Sequence, residues 1–221
     1  MTPWLLLLAS YLLGSIPASY IGGRLARGID LREHGSGNLG ATNAFRVLGA
    51  KIAAPVMTVD LLKGFLPVWG FPRLAALPDG PGWPLAFGAA AVLGHVFSVF
   101  MSFRGGKGVA TAAGVFLALA PLAVGVAFSV WLVTLLVARM VSLASVLAAV
   151  TMVLLLLTGG ASREVRLVGV VLAGFVVFTH RANLGRILRG EEHRFGKPRA
   201  ERKVAETVVA AAAGADPERE P

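Results

Sequence analysis

Apolar segments alternate with shorter polar ones along this chain. Residues 3–22 contain no charge over about 20 positions, which is long enough for a helix to cross the roughly 30 Å hydrocarbon layer of a bilayer. Further apolar segments follow at 52–72, 84–103, 109–138, 141–158 and 165–179. The pattern predicts an all-α polytopic membrane protein in which residues 3–22 form a retained first span.

The segment 109–138 is too long for one comfortable crossing. About 30 helical residues would extend roughly 45 Å, and Pro121 and Gly125 interrupt the segment near its middle. We therefore expect a helical hairpin made of two short or tilted helices. With this hairpin, the chain is predicted to have about seven transmembrane helices.

Lysine and arginine are distributed unevenly between alternate loops. Of the 21 Lys and Arg residues, only Arg73, Arg163 and Arg166 lie in the segments 73–83 and 159–166. Most of the others lie in the alternate set of segments, 23–51, 104–108, residue 139 and 181–203. The positive-inside rule places this second set in the cytoplasm. The assignment requires an even number of crossings between 108 and 181, which the hairpin supplies, and it predicts an N-terminus outside and a C-terminus in the cytoplasm.

Composition agrees with a membrane protein and excludes several other classes. Hydrophobic residues make up 56% of the chain and charged residues 15%, against about 25% charged in a typical soluble domain. The absence of cysteine excludes a disulfide scaffold, thiolate metal sites and a cysteine nucleophile. The net charge of +9 comes from residues between apolar segments, so we assign it to membrane orientation and anionic head groups or substrates, and expect no nucleic-acid partner. Residues 1–200 are expected to form one transmembrane domain, and 201–221 a disordered cytoplasmic tail.

The first polar segment with candidate chemistry, 34–51, reads HGSGNLGATNAFRVLGAK. Its glycines allow backbone conformations in which successive N–H groups converge on an anion. Arg46 adds a planar guanidinium that suits a phosphate, and other side chains supply uncharged donors. An ordinary polar loop with turn glycines is the alternative interpretation. The candidate binding residues besides Arg46 are Gly35, Ser36, Gly37, Asn38, Gly40, Thr42 and Asn43.

The segment 102–111, SFRGGKGVAT, is similar to a phosphate-binding loop without matching the nucleotide-binding pattern. G-x-x-x-x-G-K-[ST] requires a glycine where Met101 stands and a hydroxyl where Gly108 follows the lysine. Nucleotide hydrolysis is therefore not supported. Glycines before a helix, with a lysine among them, still make a suitable anion site, although a tight turn between helices would also explain them. The candidates here are Arg104, Gly105, Gly106, Lys107, Gly108 and Thr111.

The segment 180–197, HRANLGRILRGEEHRFGK, begins where the last apolar segment reaches the membrane interface. His180 and Asn183 are three residues apart and share one face if the helix continues. Arg181, Arg186 and Arg189 are most simply explained as a basic interfacial helix beside anionic lipid. His180 is a candidate catalytic residue, or else a residue that only forms a hydrogen bond at the bilayer edge.

Few polar side chains fall inside the predicted spans. Asp60 and Lys63 are three residues apart, and we expect them to pair with each other or to reach the cytoplasmic interface. His95 lies inside the third span, where an ionisable group indicates either a function or a single interhelical hydrogen bond.

Several patterns of known lipid-modifying enzymes are missing from the sequence. No histidine is followed five positions later by aspartate, so the H-x-x-x-x-D box of other glycerolipid acyltransferases is absent. Paired aspartates of the metal-dependent alcohol phosphotransferases are absent as well. No cluster of His, Asp and Glu indicates a metal site, so no metal or other cofactor is expected. A site in this chain would work with cations, amides and hydroxyls.

Three motifs in order carry a resemblance to a known family. GSGNLGATNAFRVLG, GHVFSVFMSFRGGKGVAT and HRANLGRILRGEEHRFG strongly resemble the acyl-phosphate:glycerol-3-phosphate acyltransferase family of the PlsY type, over about residues 5–197. The family motif usually has Pro where this chain has Ser98, and Lys where it has Arg104. The second difference keeps the charge but changes its geometry.

The resemblance implies a multi-pass enzyme of the bacterial inner membrane, with its active site facing the cytoplasm. Such an enzyme moves a fatty acyl group from acyl phosphate to the 1-hydroxyl of glycerol 3-phosphate, giving lysophosphatidic acid and phosphate for phospholipid synthesis. Membrane lipids are expected partners, and a soluble enzyme that makes acyl phosphate is a candidate partner. An anion permease or a lipid-binding subunit is the competing class, although the sequence shows no convincing internal repeat.

Residue roles follow from the resemblance as hypotheses. Lys107, the N–H groups of Gly105 and Gly106, and the loop around Ser36 would hold and neutralise phosphate. Arg46 and Asn183 would position glycerol 3-phosphate. His180 or the departing phosphate would accept the proton, and we favour the phosphate, with His180 orienting the substrate. Ser36 is preferred as a hydrogen-bonding residue over a nucleophile, because no His-Asp partner pattern is visible.

Overall fold

The computed structural model describes residues 2–75, 77 and 80–195, and in these ranges it is all-helical. Residues 196–197 of the third motif and the expected tail 201–221 lie outside the described residues. A 3-10 turn occupies Val99–Met101. The ten α-helices are α1 (Pro3–Ser15), α2 (Ala18–Arg27), α3 (Ala41–Leu48), α4 (Ala50–Leu74), α5 (Gly82–Val96), α6 (Val109–Leu119), α7 (Pro121–Ala138), α8 (Val141–Thr158), α9 (Arg163–Thr179) and α10 (Arg181–Leu188).

Five stretches of helix in the described part are long and apolar enough to cross a membrane: Pro3–Arg27, Ala50–Leu74, Gly82–Met101, Pro121–Ala138 and Val141–Thr158. The pair α9 and α10, bent by 57°, gives a sixth if it is counted as one span. The remaining apolar helix, α6, has 11 residues and is about 17 Å long. The all-α, multi-pass architecture is therefore confirmed, while the number of seven spans and the orientation of the termini stay predictions.

The long apolar segment 109–138 is divided into two helices, as its length and proline predict. α6 ends at Leu119 and α7 begins at Pro121, whose missing N–H is tolerated at the first position of a helix. α6 lies very close to α4, because a methyl group on Gly64 would overlap the Thr111 carbonyl. This glycine contact allows the backbones of the two helices to approach each other in the bundle interior.

The first span is broken, which the apolar pattern of 3–22 did not predict. Pro17 has no N–H to continue the helix after α1, so carbonyl groups at the break need other donors. Ser98 Oγ donates to the Ser15 carbonyl at 2.6 Å, and Lys63 Nζ donates to the Ile16 carbonyl at 3.0 Å. Backbone groups inside a membrane must be satisfied within the protein. Side chains of α4 and of the segment after α5 therefore stabilise the break.

Aromatic side chains gather at one end of the bundle. The rings of Trp4 and Trp83, in the first turns of α1 and α5, are 5.3 Å apart. Trp69 lies near the end of α4, and the Arg73 guanidinium is 4.4 Å from the centre of its ring. Tryptophans of this kind mark a membrane–water interface. The first and second motif segments come after the opposite ends of the stretch Pro3–Arg27 and of α5, so they belong to the other interface.

Candidate active site

The three motif segments meet at one end of the bundle. Lys107 Nζ donates a hydrogen bond to Asn183 Oδ1, which joins the second and third segments. Thr179 Oγ1 donates to the Lys107 carbonyl at 3.2 Å. Gly106 lies against the first segment, since a methyl group added to it would be 2.9 Å from the Leu39 carbonyl oxygen. The chain therefore assembles one composite site from parts far apart in sequence.

Asn43 organises the loop of the first segment. Its Oδ1 accepts the Ser36 N–H at 2.9 Å, and its Nδ2 donates to the carbonyls of Leu31 at 3.2 Å and His34 at 3.0 Å. Gly35, at φ +65°, must be glycine here, because a methyl group on it would overlap the Asn43 amide oxygen. The expectation that Asn43 binds phosphate is corrected, because its amide is buried and engaged by the loop itself.

Other candidates of the first segment are accessible. Ser36 and Thr42 are exposed, and Asn38 and Arg46 are partly buried. Gly37 adopts φ +70°, so the left-handed turn expected from the glycines is present there as well as at Gly35. This segment therefore offers hydroxyl, amide and guanidinium groups beside the lysine of the second segment.

The N–H groups of Gly105 and Gly106 have a different role from the one expected. The Gly105 N–H donates to the Val96 carbonyl at 2.9 Å, and the Gly106 N–H donates to the His95 carbonyl at 3.1 Å. Carbonyls in the last turn of a helix have no partner within the helix, so the loop supplies their donors. The two glycines allow the loop to lie directly against α5, and the prediction that their N–H groups hold phosphate is corrected.

Lys107 precedes the start of α6, as the sequence predicted. Gly108, at φ +81°, is the residue before the helix. Thr111, in the first turn, is 0% exposed and packs against α4, so its expected contact with phosphate is corrected. Arg104 is exposed beside the loop. The second segment therefore contributes cations to the site instead of a cradle of backbone donors.

A carboxylate that the sequence analysis did not assign lies behind Lys107. Glu192 Oε1 accepts hydrogen bonds from Asn183 Nδ2 at 2.6 Å and from Ser142 Oγ at 2.7 Å. Glu192 Oε2 accepts from Arg186 Nε at 2.8 Å. Arg186 thus pairs with a carboxylate that is 7% exposed, in contrast to the lipid-facing role expected for it. The pairing could not be read from helical periodicity, because Glu192 lies beyond the end of α10.

The charges of the site perturb one another. Burial lowers the pKa of Lys107 to about 8, with Arg186 and Arg46 adding to the decrease and Glu192 opposing it. Burial acts to raise the pKa of Glu192, but hydrogen bonds from Asn183, Ser142 and Arg186 hold it below its usual value. The charged form of Lys107 is therefore destabilised by burial and by two neighbouring arginines.

His180 is buried at the junction of α9 and α10. Its Nδ1 lies 2.8 Å from the Val176 carbonyl oxygen, which can only accept a hydrogen bond. Nδ1 therefore carries a proton, and Nε2 is the ring nitrogen left for another contact. In the described ranges, no three His, Asp or Glu side chains are grouped as a metal ion would require.

The fold and site define a multi-pass helical membrane protein with cations, amides and hydroxyls gathered at one end of an apolar bundle. A family model described as glycerol-3-phosphate acyltransferase matches residues 4–190. The chain belongs to this family, and the resemblance of the three motifs is confirmed.

Individual relatives cover almost the whole described chain. A glycerol-3-phosphate acyltransferase of Bacillus cytotoxicus is 46% identical over 190 residues, which span 86% of this chain and 93% of the relative. One of Trichlorobacter lovleyi is 46% identical over 186 residues, 84% of this chain and 94% of the relative. Crystal structures of PlsY (YgiH), an integral membrane glycerol 3-phosphate acyltransferase, have a TM-score of 0.81 and cover 89% of this chain and 96% of their own. The glycerol 3-phosphate form is 41% identical and the lysophosphatidic acid form 40%.

Proposed function

We propose that this protein transfers a fatty acyl group from acyl phosphate to the 1-hydroxyl of glycerol 3-phosphate, releasing phosphate and lysophosphatidic acid for phospholipid synthesis. The observation that carries the proposal is the meeting of the three motif segments at Lys107, through its hydrogen bond to Asn183 and the contact of neighbouring Gly106 with the Leu39 carbonyl. Arg46 and Arg186 are close enough to lower the lysine pKa. Two substrate phosphates that must lie side by side require such a group of cations. The glycerol 3-phosphate and lysophosphatidic acid forms of the similar crystal structures support the acceptor and the product.

The reaction uses an acyl donor that already carries its leaving group. The acceptor hydroxyl oxygen attacks the acyl carbon, a C–O bond forms, and the bond between the acyl carbon and the phosphate oxygen breaks. The phosphate leaves with the bonding electron pair, so negative charge grows on it in the transition state. The Lys107 ammonium neutralises that charge from a fixed position, which is the type of stabilisation that accelerates a chemical step.

Asn183 and Glu192 fix that position. Asn183 Oδ1 accepts from Lys107 while its Nδ2 is bound to Glu192. The carboxylate orients the amide, and the amide in turn orients the ammonium. We infer that Asn183 acts chiefly as a positioning residue for Lys107, in place of the direct substrate contact expected from the motif.

Arg46 and Ser36 are the groups proposed to hold glycerol 3-phosphate. Arg46 supplies a fork of donors that matches a phosphate, and the Ser36 hydroxyl is exposed on a loop that Asn43 holds in shape. A bound acceptor whose hydroxyl faces the acyl carbon reacts as if within one molecule. The hydroxyl proton passes to the departing phosphate, and His180, anchored through Nδ1, orients the reacting groups.

The membrane orientation is part of the same proposal. The motif segments carry most of the basic residues, and the positive-inside rule assigns their end of the bundle to the cytoplasm of a bacterial inner membrane. Both substrates carry phosphate on the cytoplasmic side, and the acyl tail of the donor stays in the lipid beside the site. A soluble enzyme that makes acyl phosphate would meet this face.

The test is a turnover assay with the purified full chain in detergent micelles. Acyl phosphate and labelled glycerol 3-phosphate should give lysophosphatidic acid and phosphate in equal amounts. Acyl-coenzyme A should be a poor donor, because its thioester has no phosphate on the acyl carbon for Lys107 to neutralise. Efficient turnover with acyl-coenzyme A, or none with acyl phosphate, would overturn the proposal.

A further inference from the structure

Three ionisable side chains form an interior cluster behind the site. Asp60 and Lys63 of α4 and His95 of α5 are 2%, 3% and 6% exposed. Asp60 Oδ1 lies 2.8 Å from Lys63 Nζ and 3.5 Å from His95 Nδ1. The predicted Asp60–Lys63 pair is present, and Lys63 does not reach the interface. In the described ranges, the hydrogen bonds of Lys107 go to Asn183 and Thr179, so the cluster has no direct bond to the proposed catalytic lysine.

Stability alone is a weak reason for burying these charges. Removing two ions from water is expensive, and apolar residues of the same volume often stabilise a fold equally well. The cluster does, however, make two specific connections. Lys63 donates to the Ile16 carbonyl at the break between α1 and α2, and the chain continues from this break to the first motif segment.

His95 makes the second connection, to the loop before Lys107. Its carbonyl accepts the Gly106 N–H at 3.1 Å. Its ring lies so close to Gly106 that a methyl group there would overlap Nε2. On another side, the same methyl group would be 2.9 Å from the Leu39 carbonyl oxygen of the first segment. Gly106 is thus confined between the His95 ring and the first motif segment, one residue before Lys107.

We propose that His95, held by Asp60 and Lys63, is a positioning residue for acyl transfer that fixes the Lys107 ammonium relative to the first motif segment. The His95 ring packs directly against Gly106 and limits where this residue can lie. In the described part of the chain, His95 Nδ1 is buried without a hydrogen-bond partner, and the Asp60 carboxylate is the charged group that faces it, at 3.5 Å. The inference rests on the proposed function, because it depends on the role given there to Lys107.

Two substitutions of His95 test separately the side of the ring near Asp60 and the side near Gly106. His95→Asn keeps a polar atom near Asp60 and removes the atoms that meet Gly106, whereas His95→Gln places an amide close to the position of Nε2. A displacement of about 1 Å in a reacting group can reduce the rate about a hundredfold. We expect His95→Asn to lower kcat between about tenfold and a hundredfold, with KM for glycerol 3-phosphate within about twofold. His95→Gln should recover a large part of kcat.

A double-mutant cycle distinguishes positioning from a general loss of structure. If His95 acts through Lys107, His95→Asn should lower kcat in the wild type and cause little further loss in the Lys107→Ala background. An equal loss in both backgrounds would overturn the proposal. Ser10→Ala is the matched control, because Ser10 is also buried in the bundle but bonds only within α1, to the Leu6 carbonyl. Its kcat should stay at the wild-type value.

The outcomes separate this inference from the proposed function. Wild-type protein that does not use acyl phosphate would overturn the proposed function. Active wild-type protein together with an unchanged kcat in folded His95→Asn would overturn the positioning role alone. If His95→Asn is not folded, the cycle is run with Asp60→Asn combined with Lys63→Met, which leaves no unpaired charge. A full kcat in that variant would then contradict the proposal.

Discussion

Lys107 and Asn183 are joined by a side-chain hydrogen bond across 76 residues of sequence. The bond connects the loop before α6 to α10, and Asn183 passes the connection on to Glu192 at 2.6 Å. The Asn183 amide thereby links the Lys107 ammonium to the Glu192 carboxylate. This arrangement fixes the position of Lys107, and Glu192 opposes the lowering of the lysine pKa by burial.

We expect Lys107→Ala to lower kcat by about a hundredfold or more, because removing a preorganised charge contact from a transition state typically costs about 3 kcal/mol. KM for glycerol 3-phosphate should change little. Steady-state kinetics with acyl phosphate measure both constants. Arg189→Ala is the control, since Arg189 is exposed and pairs with exposed Glu191. A strong loss in the control with normal activity in Lys107→Ala would place the site elsewhere.

Arg46→Ala should chiefly raise KM for glycerol 3-phosphate. The guanidinium holds the acceptor phosphate in the ground state and the transition state alike, so kcat is expected to fall less than kcat/KM. Arg46→Lys should restore little, because an ammonium cannot reproduce the planar fork. Equilibrium binding of labelled glycerol 3-phosphate to the variants gives an independent measurement. Unchanged binding in Arg46→Ala would contradict this role.

The lowered pKa of Lys107 predicts a falling limb in the pH profile. Only the ammonium can neutralise the leaving phosphate, so kcat/KM should fall about tenfold per pH unit above about 8. In the profile of kcat the limb should lie at higher pH, because bound phosphate favours the ammonium. Lys107→Arg should remove the limb, since a guanidinium does not deprotonate between about pH 6 and pH 10. The same limb in Lys107→Arg would assign it to another group.

Neighbouring glutamates provide a matched test of the charge behind Lys107. Glu192 raises the pKa of Lys107, so Glu192→Gln should lower it further and move the alkaline limb to lower pH. Glu191→Gln should leave the profile unchanged, because Glu191 is exposed and bonds to Arg189 at the surface. The limbs of the two variants are compared under the same conditions. A shift in Glu191→Gln equal to that in Glu192→Gln would show a general charge effect.

The orientation can be tested in this naturally cysteine-free chain. Single cysteines at the exposed positions Glu33, Arg163 and Arg189 leave the described contacts of Asn43 and Lys107 intact. In intact cells, a membrane-impermeant maleimide should label Arg163→Cys and should spare Glu33→Cys and Arg189→Cys. Labelling of Arg189→Cys from outside would separate the third motif from the cytoplasm.

Local patterns predicted much of this molecule. The length of the apolar segments predicted the helices, and Pro121 predicted the break in the long segment. The glycines predicted the left-handed turns at Gly35 and Gly37. These features depend on neighbouring residues, which a sequence displays directly. The position of Lys107 before a helix is of the same kind.

Features that depend on distant partners were not predictable in the same way. The role of Glu192 arises only when the chain after α10 returns to α8 and meets Ser142. The N–H groups of Gly105 and Gly106 were expected at phosphate, because nothing in a linear motif shows that α5 ends beside them. A sequence also does not show whether a side-chain hydroxyl or amide is exposed to a substrate or buried between helices. Thr111, for example, is buried by the close approach of α4.

The break between α1 and α2 also constrains the order in which the bundle can assemble. The Ser15 carbonyl receives a donor from Ser98, and the Ile16 carbonyl, which also accepts the Ala18 N–H at 3.1 Å, receives a further donor from Lys63. The ribosome adds both Ser98 and Lys63 later. In hydrocarbon, a carbonyl without a donor is strongly unfavourable. The Ser15 carbonyl at the bend of the first hydrophobic segment therefore gains its side-chain donor only after the segment that follows α5 has arrived beside it. Completion of the catalytic end is thus delayed until insertion has reached the second motif segment, the loop that carries Lys107.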